Sequence, residues 1–397
     1  MICCIKIIMR KILFIIGVFC IFSLSYSIDL FFYGPRSLSL GYGGNAFSYD
    51  YNVIINNSSL ISNLPVIVGG YNYQTEYFEY NDFSNKLNVF FSSNYANFDS
   101  LDISLKSEVV SRINDIYSSK YGIFGSKVNG FGFMMKSYAF AVQFVEITVI
   151  NPNKNNVMNK KVNDIVKQDL DSLKMDVISF NFKRYILSYS LPVSRNLNIG
   201  MNFSYLNGDS YKNEINVSSQ SFFDKGLDMR EYSQEFWDLC DTGISKIKFD
   251  VSISMNVSRS LIVYASMFNI GKPEFGINNT KLVFDNRYKA GLVFRPSLTW
   301  GFYFDFDIFK YDYLFNGNKL QNISIGIEKG FFKNMLILRV GMYSDISEKF
   351  FFGKNSVNVY SLGLGFNAGK ILIDSGVSFN SDGSIRAVAI GGYYIVK

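Results

Sequence analysis

One stretch decides the fold class of this chain: Lys246-Ile247-Lys248-Phe249-Asp250-Val251-Ser252-Ile253-Ser254-Met255-Asn256-Val257. Bulky apolar side chains stand at its odd positions, and charged or small polar side chains stand at its even positions. Because successive side chains of a β-strand point to opposite faces, this stretch predicts a strand with one apolar and one polar face. An apolar face opposite charged groups is typical of a barrel wall that has lipid outside and water inside.

The same alternation recurs from Val66 onward, in segments of roughly ten residues separated by turn residues. Clear examples are Leu197–Tyr205, Phe302–Ile308 and Ile323–Ile327. Aromatic residues make up 17% of the chain, and no apolar run after residue 27 approaches the length of a transmembrane helix. The pattern predicts an all-β, transmembrane, antiparallel up-and-down β-barrel. The alternative is a soluble β-protein, whose polar strand faces would meet solvent.

Short and long connections alternate when the strands are followed back from the C-terminus. Short turns are expected at Met135–Ser137, Pro192–Arg195, Ser258–Arg259, Pro296–Ser297, Gly330–Phe332 and Ala368–Gly369. The longest loops are expected near residues 150–176 and 207–245. This sorting is typical of outer-membrane barrels, whose short turns lie in the periplasm. It predicts about 14 strands over residues 66–397, with about 16 as the alternative, because single-chain bacterial barrels have even strand counts.

Two N-terminal segments precede the predicted barrel. Residues 1–27 are expected to be a secretory signal peptide, since a basic pair precedes the short apolar run Ile12–Leu24 and a small-residue cleavage site. Residues 28–65 are expected to form a hatch inside the lumen, because the glycine-rich stretch Gly34–Phe47 allows close backbone approach. Export together with a barrel predicts the outer membrane of a diderm bacterium.

The hatch contains a motif of nine residues, Arg36, Ser37, Leu38, Gly41, Gly43, Gly44, Ala46, Asn56 and Leu60. This motif resembles the N-terminal signature of the FadL-like outer-membrane barrels, in particular the PorV/PorQ group and the related TraF-like and spirochaete barrels. Asn57 stands where that family has proline, and Ser58 stands where it has alanine. Similar fragments follow at Phe268–Lys272, at Tyr288–Leu292, and at Glu328 with Leu338–Tyr343. The resemblance implies a barrel plugged by its own N-terminal segment.

Two loops are long enough to carry structure of their own. In the first, Val162, Ile165, Val166, Leu170 and Leu173 recur at helical spacing, which predicts a short amphipathic helix. The second covers residues 221–240 and mixes aromatic with acidic side chains, as a lid over a barrel mouth would. Its candidate capture residues are Phe222, Phe223, Phe236 and Trp237. The alternative interpretation is that these side chains only pack on the barrel rim.

The polar strand faces supply candidate lumen residues, which are Lys246, Lys248, Asp250, Asp305 and Asp307. Two aspartates on one strand face can bind cations, but with lysines on another inward face the simpler interpretation is a charge-balanced, hydrated lumen.

The strand at Val177–Leu191 changes its apolar parity, because Ile178, Phe180 and Phe182 are even while the later apolar positions are odd. One extra residue near Lys183-Arg184 would restore a single lipid face, so this change predicts a β-bulge there.

The sequence offers little material for catalysis. It contains no histidine, which excludes Ser-His-Asp and Cys-His catalysis and histidine-based zinc sites. Cys240 is the one cysteine left after the predicted signal peptide, and the net charge of +6 comes without a block of basic residues. We therefore expect no enzyme, no cofactor, no metal site and no nucleic-acid partner.

Three functions fit these observations. The family resemblance favours passive transport of a hydrophobic or amphipathic small molecule, such as a fatty acid, through a plugged barrel surrounded by outer-membrane lipid. A second hypothesis is a PorV-like surface adaptor whose long loops bind a secreted protein. A third is a surface antigen with no ligand. The sequence alone does not choose between them, because a fold does not fix a function.

Overall fold

The structure is a computed structural model, and it describes the residues 34–40, 42, 52–63, 66–79, 86–117, 122–152, 160–216, 243–277, 280–313, 318–346 and 358–396. The predicted signal peptide, residues 1–27, lies outside the described residues.

The chain forms a closed antiparallel barrel of 14 strands, as predicted. The first and last strands close it, with Asn72 opposite Gly391 and Glu76 opposite Ala387. Two short hairpins, β8–β9 and β12–β13, lie in loops outside the barrel sheet. The strands are β1 (Val66–Glu79), β2 (Ile123–Met135), β3 (Tyr138–Pro152), β4 (Lys174–Ser194), β5 (Leu197–Asn216), β6 (Gly243–Asn256), β7 (Leu261–Ile270), β8 (Glu274–Ile277), β9 (Thr280–Val283), β10 (Arg287–Ser297), β11 (Trp300–Asp307), β12 (Tyr311–Tyr313), β13 (Asn318–Leu320), β14 (Asn322–Phe331), β15 (Leu336–Asp345), β16 (Asn358–Ala368), β17 (Ile371–Asn380) and β18 (Ile385–Val396).

The connections sort into two ends of the barrel. All six predicted short turns are confirmed, since each joins two consecutive barrel strands within a few residues. We call this end the short-turn rim and the opposite end the long-loop rim. The strands run further than expected at the long-loop rim, because β3 ends at Pro152 and β4 begins at Lys174, while β5 ends at Asn216.

Alternation along the strands has the predicted sense. In β5, Met201, Phe203 and Tyr205 are exposed on the outer face, whereas Asn202 and Ser204 are buried on the inner face. Aromatic rings on the outer face pack across neighbouring strands, as in Phe203–Phe249, whose ring centroids are 5.3 Å apart. Exposed apolar side chains recur on the outer faces of strands around the barrel and form an apolar band, whereas most polar strand side chains point inward.

Two helical segments lie within the barrel: α1 (Gly34–Ser39), and α2 (Asn52–Asn56) followed by a 3-10 helix at Ser58–Asn63. The β1–β2 connection holds α3 (Ser93–Ala96) and α4 (Ile103–Tyr117). Among the described residues, no helix is both long enough and apolar enough to cross a membrane.

The helices of the β1–β2 connection pack with the β3–β4 loop, and we call residues 87–117 and 160–173 together the helical cap. The amphipathic helix predicted in that loop is two short turns, a 3-10 helix at Val162–Asp164 and α5 (Lys167–Asp171). The Tyr95 hydroxyl donates a hydrogen bond to Asp171 Oδ1 at 2.8 Å. Burial, reinforced by this carboxylate, raises the pKa of Tyr95 well above its ordinary value.

The bulge predicted near Lys183-Arg184 is wrong. The register of β4 against β3 is continuous from Met175 to Tyr189. The even residues of β4 face inward throughout, so Ile178, Phe180 and Phe182 are buried in the lumen. The parity changes because the inner face itself becomes apolar in the upper half of the strand, where Met175 and Val177 on the outer face are covered by the helical cap.

This register predicts different costs for two truncations in β4. Phe180→Ala should lower the free energy of unfolding by about 3–5 kcal/mol, because it empties a buried aromatic site. Leu187→Ala, at a position 57% exposed on the outer face, should cost clearly less. Urea titration of the detergent-folded barrel measures both values. Equal small costs would place Phe180 on the outer face and contradict the register.

Candidate functional site in the plugged lumen

The described part of the predicted hatch fills the lumen. Every residue of α1 is buried, and so are Asn57, Ser58, Ser59 and Leu60. Helix α1 contacts the wall at β15–β18, and the 3-10 helix contacts the wall at β4–β6. The hatch therefore touches opposite sides of the barrel.

Inward-facing glycines make room for the hatch backbone. An ideal Cβ at Gly200 would overlap the backbone of Ser59, and one at Gly363 would overlap the side chain of Ser39. At Gly326 a Cβ would lie 2.8 Å from the Leu40 carbonyl oxygen. Only glycine permits this close approach of wall and hatch.

Small polar side chains of the wall bind the hatch backbone beside these glycines. Ser59 N donates to Ser252 Oγ at 2.9 Å, and Ser190 Oγ donates to the Ser59 carbonyl oxygen at 3.0 Å. Ser58 Oγ also lies 3.2 Å from Ser252 Oγ, and Asn57 Oδ1 accepts from Ser59 Oγ. The side chains at 57 and 58, where this chain departs from the family motif, thus take part in seating the hatch.

Arg36 of the hatch motif lies in a buried ionic chain. Its guanidinium Nη2 is 2.9 Å from Glu328 Oε2 and donates to the Tyr303 hydroxyl at 2.8 Å. Arg339 Nε donates to the same Glu328 carboxylate at 2.8 Å, and its Nη1 donates to Asp374 Oδ1 at 2.7 Å. The chain Arg36–Glu328–Arg339–Asp374 ties the hatch to β14, β15 and β17.

The predicted lumen charges also pair directly. Lys248 Nζ lies 3.2 Å from Asp250 Oδ1 and donates to Asn269 Oδ1 at 2.8 Å. Asn269 has a left-handed φ of 59° and lies where the register of β7 against β6 shifts. Its backbone N–H points toward Asp250 and donates to Oδ1 of that residue at 2.8 Å. Arg184 Nη2 is 3.4 Å from Asp250 Oδ2. Lys246, in contrast, is exposed near the long-loop rim.

Asp305 and Asp307 do not act as a pair. Arg287 Nε donates to Asp307 Oδ1 at 2.6 Å, whereas Asp305 Oδ1 accepts from the Tyr264 hydroxyl at 2.9 Å and lies 4.0 Å from Lys289. Among the described residues, no group of three acidic, cysteine or histidine side chains is placed to hold a metal ion. Each carboxylate thus has a cation of its own.

The remaining side of the lumen is apolar. The inner faces of β3 and β4 present buried aliphatic and aromatic side chains toward Val53, Ile54 and Ile55 of the hatch. Phe284, from the loop before β10, packs edge-on against Phe182 with ring centroids 6.4 Å apart. We call the following six residues the apolar wall: Val145, Ile147, Val149, Ile178, Phe180 and Phe182. The apolar wall was not predicted, because its signal in the sequence, the apolar even positions of β4, was interpreted as a bulge.

Several predicted site residues lie outside the described residues. These are Gly41, Gly43, Gly44 and Ala46 of the hatch motif and the candidate capture residues Phe222, Phe223, Phe236 and Trp237. The motif residues Asn56 and Leu60 lie within the lumen, where the Asn56 carbonyl accepts from Ser266 Oγ at 3.4 Å and Leu60 joins the apolar cluster.

Comparison with known proteins gives a clear structural result. No protein-family model matches the sequence, and no curated protein matches it. Among solved structures, the CymD monoaromatic hydrocarbon channel superposes with a TM-score of 0.53 at 10% identity, covering 93% of this chain and 99% of that one. A Pseudomonas aeruginosa FadL homologue gives 0.51 at 10% identity, covering 94% and 100%. The fold is that of the FadL-type barrels. A deletion mutant of the TodX monoaromatic hydrocarbon channel gives 0.51 at 9% identity over 93% and 100% of the two chains.

The inward-facing glycines predict that a larger side chain at such a position displaces the hatch. Gly363→Val should displace α1 and lower the unfolding temperature, because the new side chain overlaps Ser39. Gly69→Val is the control, since a Cβ there meets nothing within 4 Å. Thermal unfolding and protease cleavage of the hatch report the two changes. Identical behaviour of the two variants would show that α1 does not lie against Gly363.

The ionic chain predicts coupling between hatch and wall. Arg36→Gln should lower the free energy of unfolding by about 3 kcal/mol, near the low end for a broken buried ion pair, because Arg339 still neutralises Glu328. Adding Glu328→Gln should recover part of that loss, which a double-mutant cycle measures. The exposed pair Lys127–Glu146, 3.7 Å apart, is the control, and Lys127→Gln should cost less than about 1 kcal/mol. Strictly additive effects of the two lumen substitutions would contradict the Arg36–Glu328 contact.

Proposed function

We propose that this protein is an outer-membrane barrel through which hydrophobic or amphipathic small molecules cross passively. In this proposal residues 1–27 direct export, the short turns lie in the periplasm, and the hatch of residues 28–65 controls passage. The apolar outer band supports the membrane location, and the likeness to hydrocarbon channels and a FadL homologue supports the class of cargo.

The apolar wall is the observation that carries the proposal. Inner barrel faces ordinarily meet water and are polar, so buried aromatic and aliphatic residues there need another role. In this barrel they line one side of the lumen, opposite the ion-paired side that anchors α1. A molecule that passes along the apolar wall would leave the charged anchor of the hatch in place. Apolar pockets with few polar groups are also the usual sites for small hydrophobic ligands.

The test is permeation of an apolar probe into proteoliposomes. The intact barrel should admit a fluorescent fatty acid or a monoaromatic compound faster than empty liposomes do. The double substitution Ile178→Ser and Phe182→Ser should slow permeation by about tenfold, because polar groups replace apolar contacts along the route. The matched control, Ser324→Ala, changes a buried residue on the charged side and should leave permeation unchanged. No permeation above the empty-liposome rate would contradict the transport proposal.

A PorV-like adaptor is the second proposal, and the closed lumen favours it. All described residues of α1 are buried and Arg36 is held by an ionic chain, so a barrel that stays shut and presents its loops also fits. Deletion of residues 207–245 should then remove a secreted-protein partner from a pulldown. An unchanged set of partners would contradict the adaptor proposal. If both the permeation test and the pulldown fail, the surface-antigen hypothesis is left.

A further inference from the structure

The two rims of the barrel differ in whether carboxylates lie beside their basic residues. Among the described residues of the long-loop rim, five basic side chains pair with neighbouring carboxylates. The ion-pair distances there are 2.7 Å for Arg112–Glu108, 2.7 Å for Lys160–Asp169, 2.9 Å for Lys167–Asp171, 2.8 Å for Lys174–Glu214 and 3.0 Å for Lys212–Asp176. These five basic residues are therefore neutralised within the protein.

The short-turn rim has basic residues without such matches. Five of its six turns carry a lysine or arginine, and the sixth, Leu298-Thr299 between β10 and β11, carries none. In the turn segments 132–141, 189–200, 253–264, 293–303, 327–339 and 365–374, the only acidic residues are Glu328 and Asp374, which face the lumen and bind arginines there. We call the following exposed residues the basic collar: Lys136, Arg195, Arg259, Lys333 and Lys370. Within the described residues, none of the five forms an ion pair with a carboxylate.

Aromatic side chains mark the depth of the collar. Lys329 Nζ, at the edge of the same rim, lies 4.4 Å from the ring centre of Trp300, which stacks on Phe302 with 5.9 Å between ring centroids. Phe332 and Leu298 in the adjacent turns are 74% and 85% exposed. Aromatic girdles flank the apolar band of membrane barrels at the interface with the headgroups. The collar therefore lies just beyond the acyl chains, at the level of lipid phosphates.

We propose that the basic collar binds the phosphate headgroups of anionic phospholipids in the leaflet that faces the short turns. Cations near a membrane surface attract anionic lipids, and uncompensated cations on a closed ring repel each other unless anions gather between them. The collar residues lie on five of the six short turns, on opposite sides of the barrel. This geometry fits a ring of lipids better than one protein partner. The inference needs the barrel to lie in a membrane, but it does not need transport.

The chain contains a reporter for this site. It has two tryptophans, so Trp237→Phe leaves Trp300 alone, on the outer face beside the collar. Two kinds of vesicle are compared, in which either the phosphatidylglycerol or the phosphatidylcholine carries the bromine quencher. Trp300 should be quenched more strongly by brominated phosphatidylglycerol, which corresponds to at least about a threefold preference of the collar for this anionic lipid. A single cation near the surface gives about fivefold by itself. Salt at about 0.5 M should reduce the preference, because it screens exposed charges.

Two matched variants decide the outcome. Replacing the five collar residues by glutamine should abolish the preference for phosphatidylglycerol. Replacing five basic residues of the long-loop rim by glutamine should leave the preference unchanged; these are Lys106, Arg112, Lys160, Lys161 and Lys174. Equal quenching by the two lipids, or equal losses in both variants, would overturn the proposal, and so would a chain that does not insert.

Permeation by the protein that retains Trp237, with and without the collar substitutions and in vesicles of the same lipids, separates this inference from the proposed transport. A lost lipid preference with normal permeation refutes only the collar, whereas a retained preference without permeation refutes only the transport.

Discussion

The contact between Arg36 of the hatch and Glu328 of the wall is the interaction on which the closed lumen depends. Both groups are buried, and a buried charge without a partner costs several kcal/mol. The wall supplies two further members, Arg339 and Asp374, so the charges alternate in sign along the chain. The hatch is consequently part of the interior of the barrel: removing it exposes one end of this chain and leaves Glu328 with fewer cations. Plug and wall form one folded unit.

The hatch is also held by the close fit of its backbone to the barrel wall. The ionic chain fixes one end of the hatch, while inward glycines and serines fix the path of its backbone on the opposite side of the lumen. Ser190 Oγ donates to the Ser59 carbonyl oxygen and Ser252 Oγ accepts from Ser59 N, which satisfies backbone groups that would otherwise be buried without partners. Between these two anchors, the apolar wall on β3 and β4 faces α2 with side chains that have no hydrogen bonds to offer. The hatch is therefore held on both sides of the lumen, by ionic and hydrogen-bonded contacts at its two anchors and by apolar contacts with β3 and β4.

Much of this architecture could be predicted from the sequence. Alternation in Lys246–Val257 gave the strand and its faces because strand geometry has a strict period of two residues. Loop lengths gave the strand count, since a meander sorts its connections. Arg36, Glu328 and Arg339 all lie in fragments that resemble the family, but Glu328 is 292 positions from Arg36, and no local pattern shows that the two pair. The inward placement of Lys248, Asp250, Asp305 and Asp307 was predictable, whereas their individual partners depend on register across several strands.

Two features of the structure, the apolar inner face of β4 and the helical cap, were not predicted from the sequence. Parity in β4 identifies which residues share a face, but it cannot tell an apolar inner face from a bulge that exchanges faces; the continuous pairing from Met175 to Tyr189 decides it. Residues 66–397 were predicted as barrel strands with long loops near 150–176 and 207–245, and the helices that residues 87–117 contribute to the helical cap were not predicted. Val109, Val110, Ile113 and Ile116 stand at helical spacing and were a signal for α4, but no local pattern shows that the cap covers outward apolar residues of β3 and β4.

The most direct measurement of the central claim is single-channel conductance in planar bilayers, comparing the chain from Ile28 with the same chain lacking residues Leu38–Leu60. With the lumen filled by the hatch, the longer chain should be silent and the shortened chain should conduct ions steadily. If the longer chain conducts as well as the shortened one, the hatch does not fill the lumen, and the account of a barrel closed by Arg36 and its wall partners is wrong.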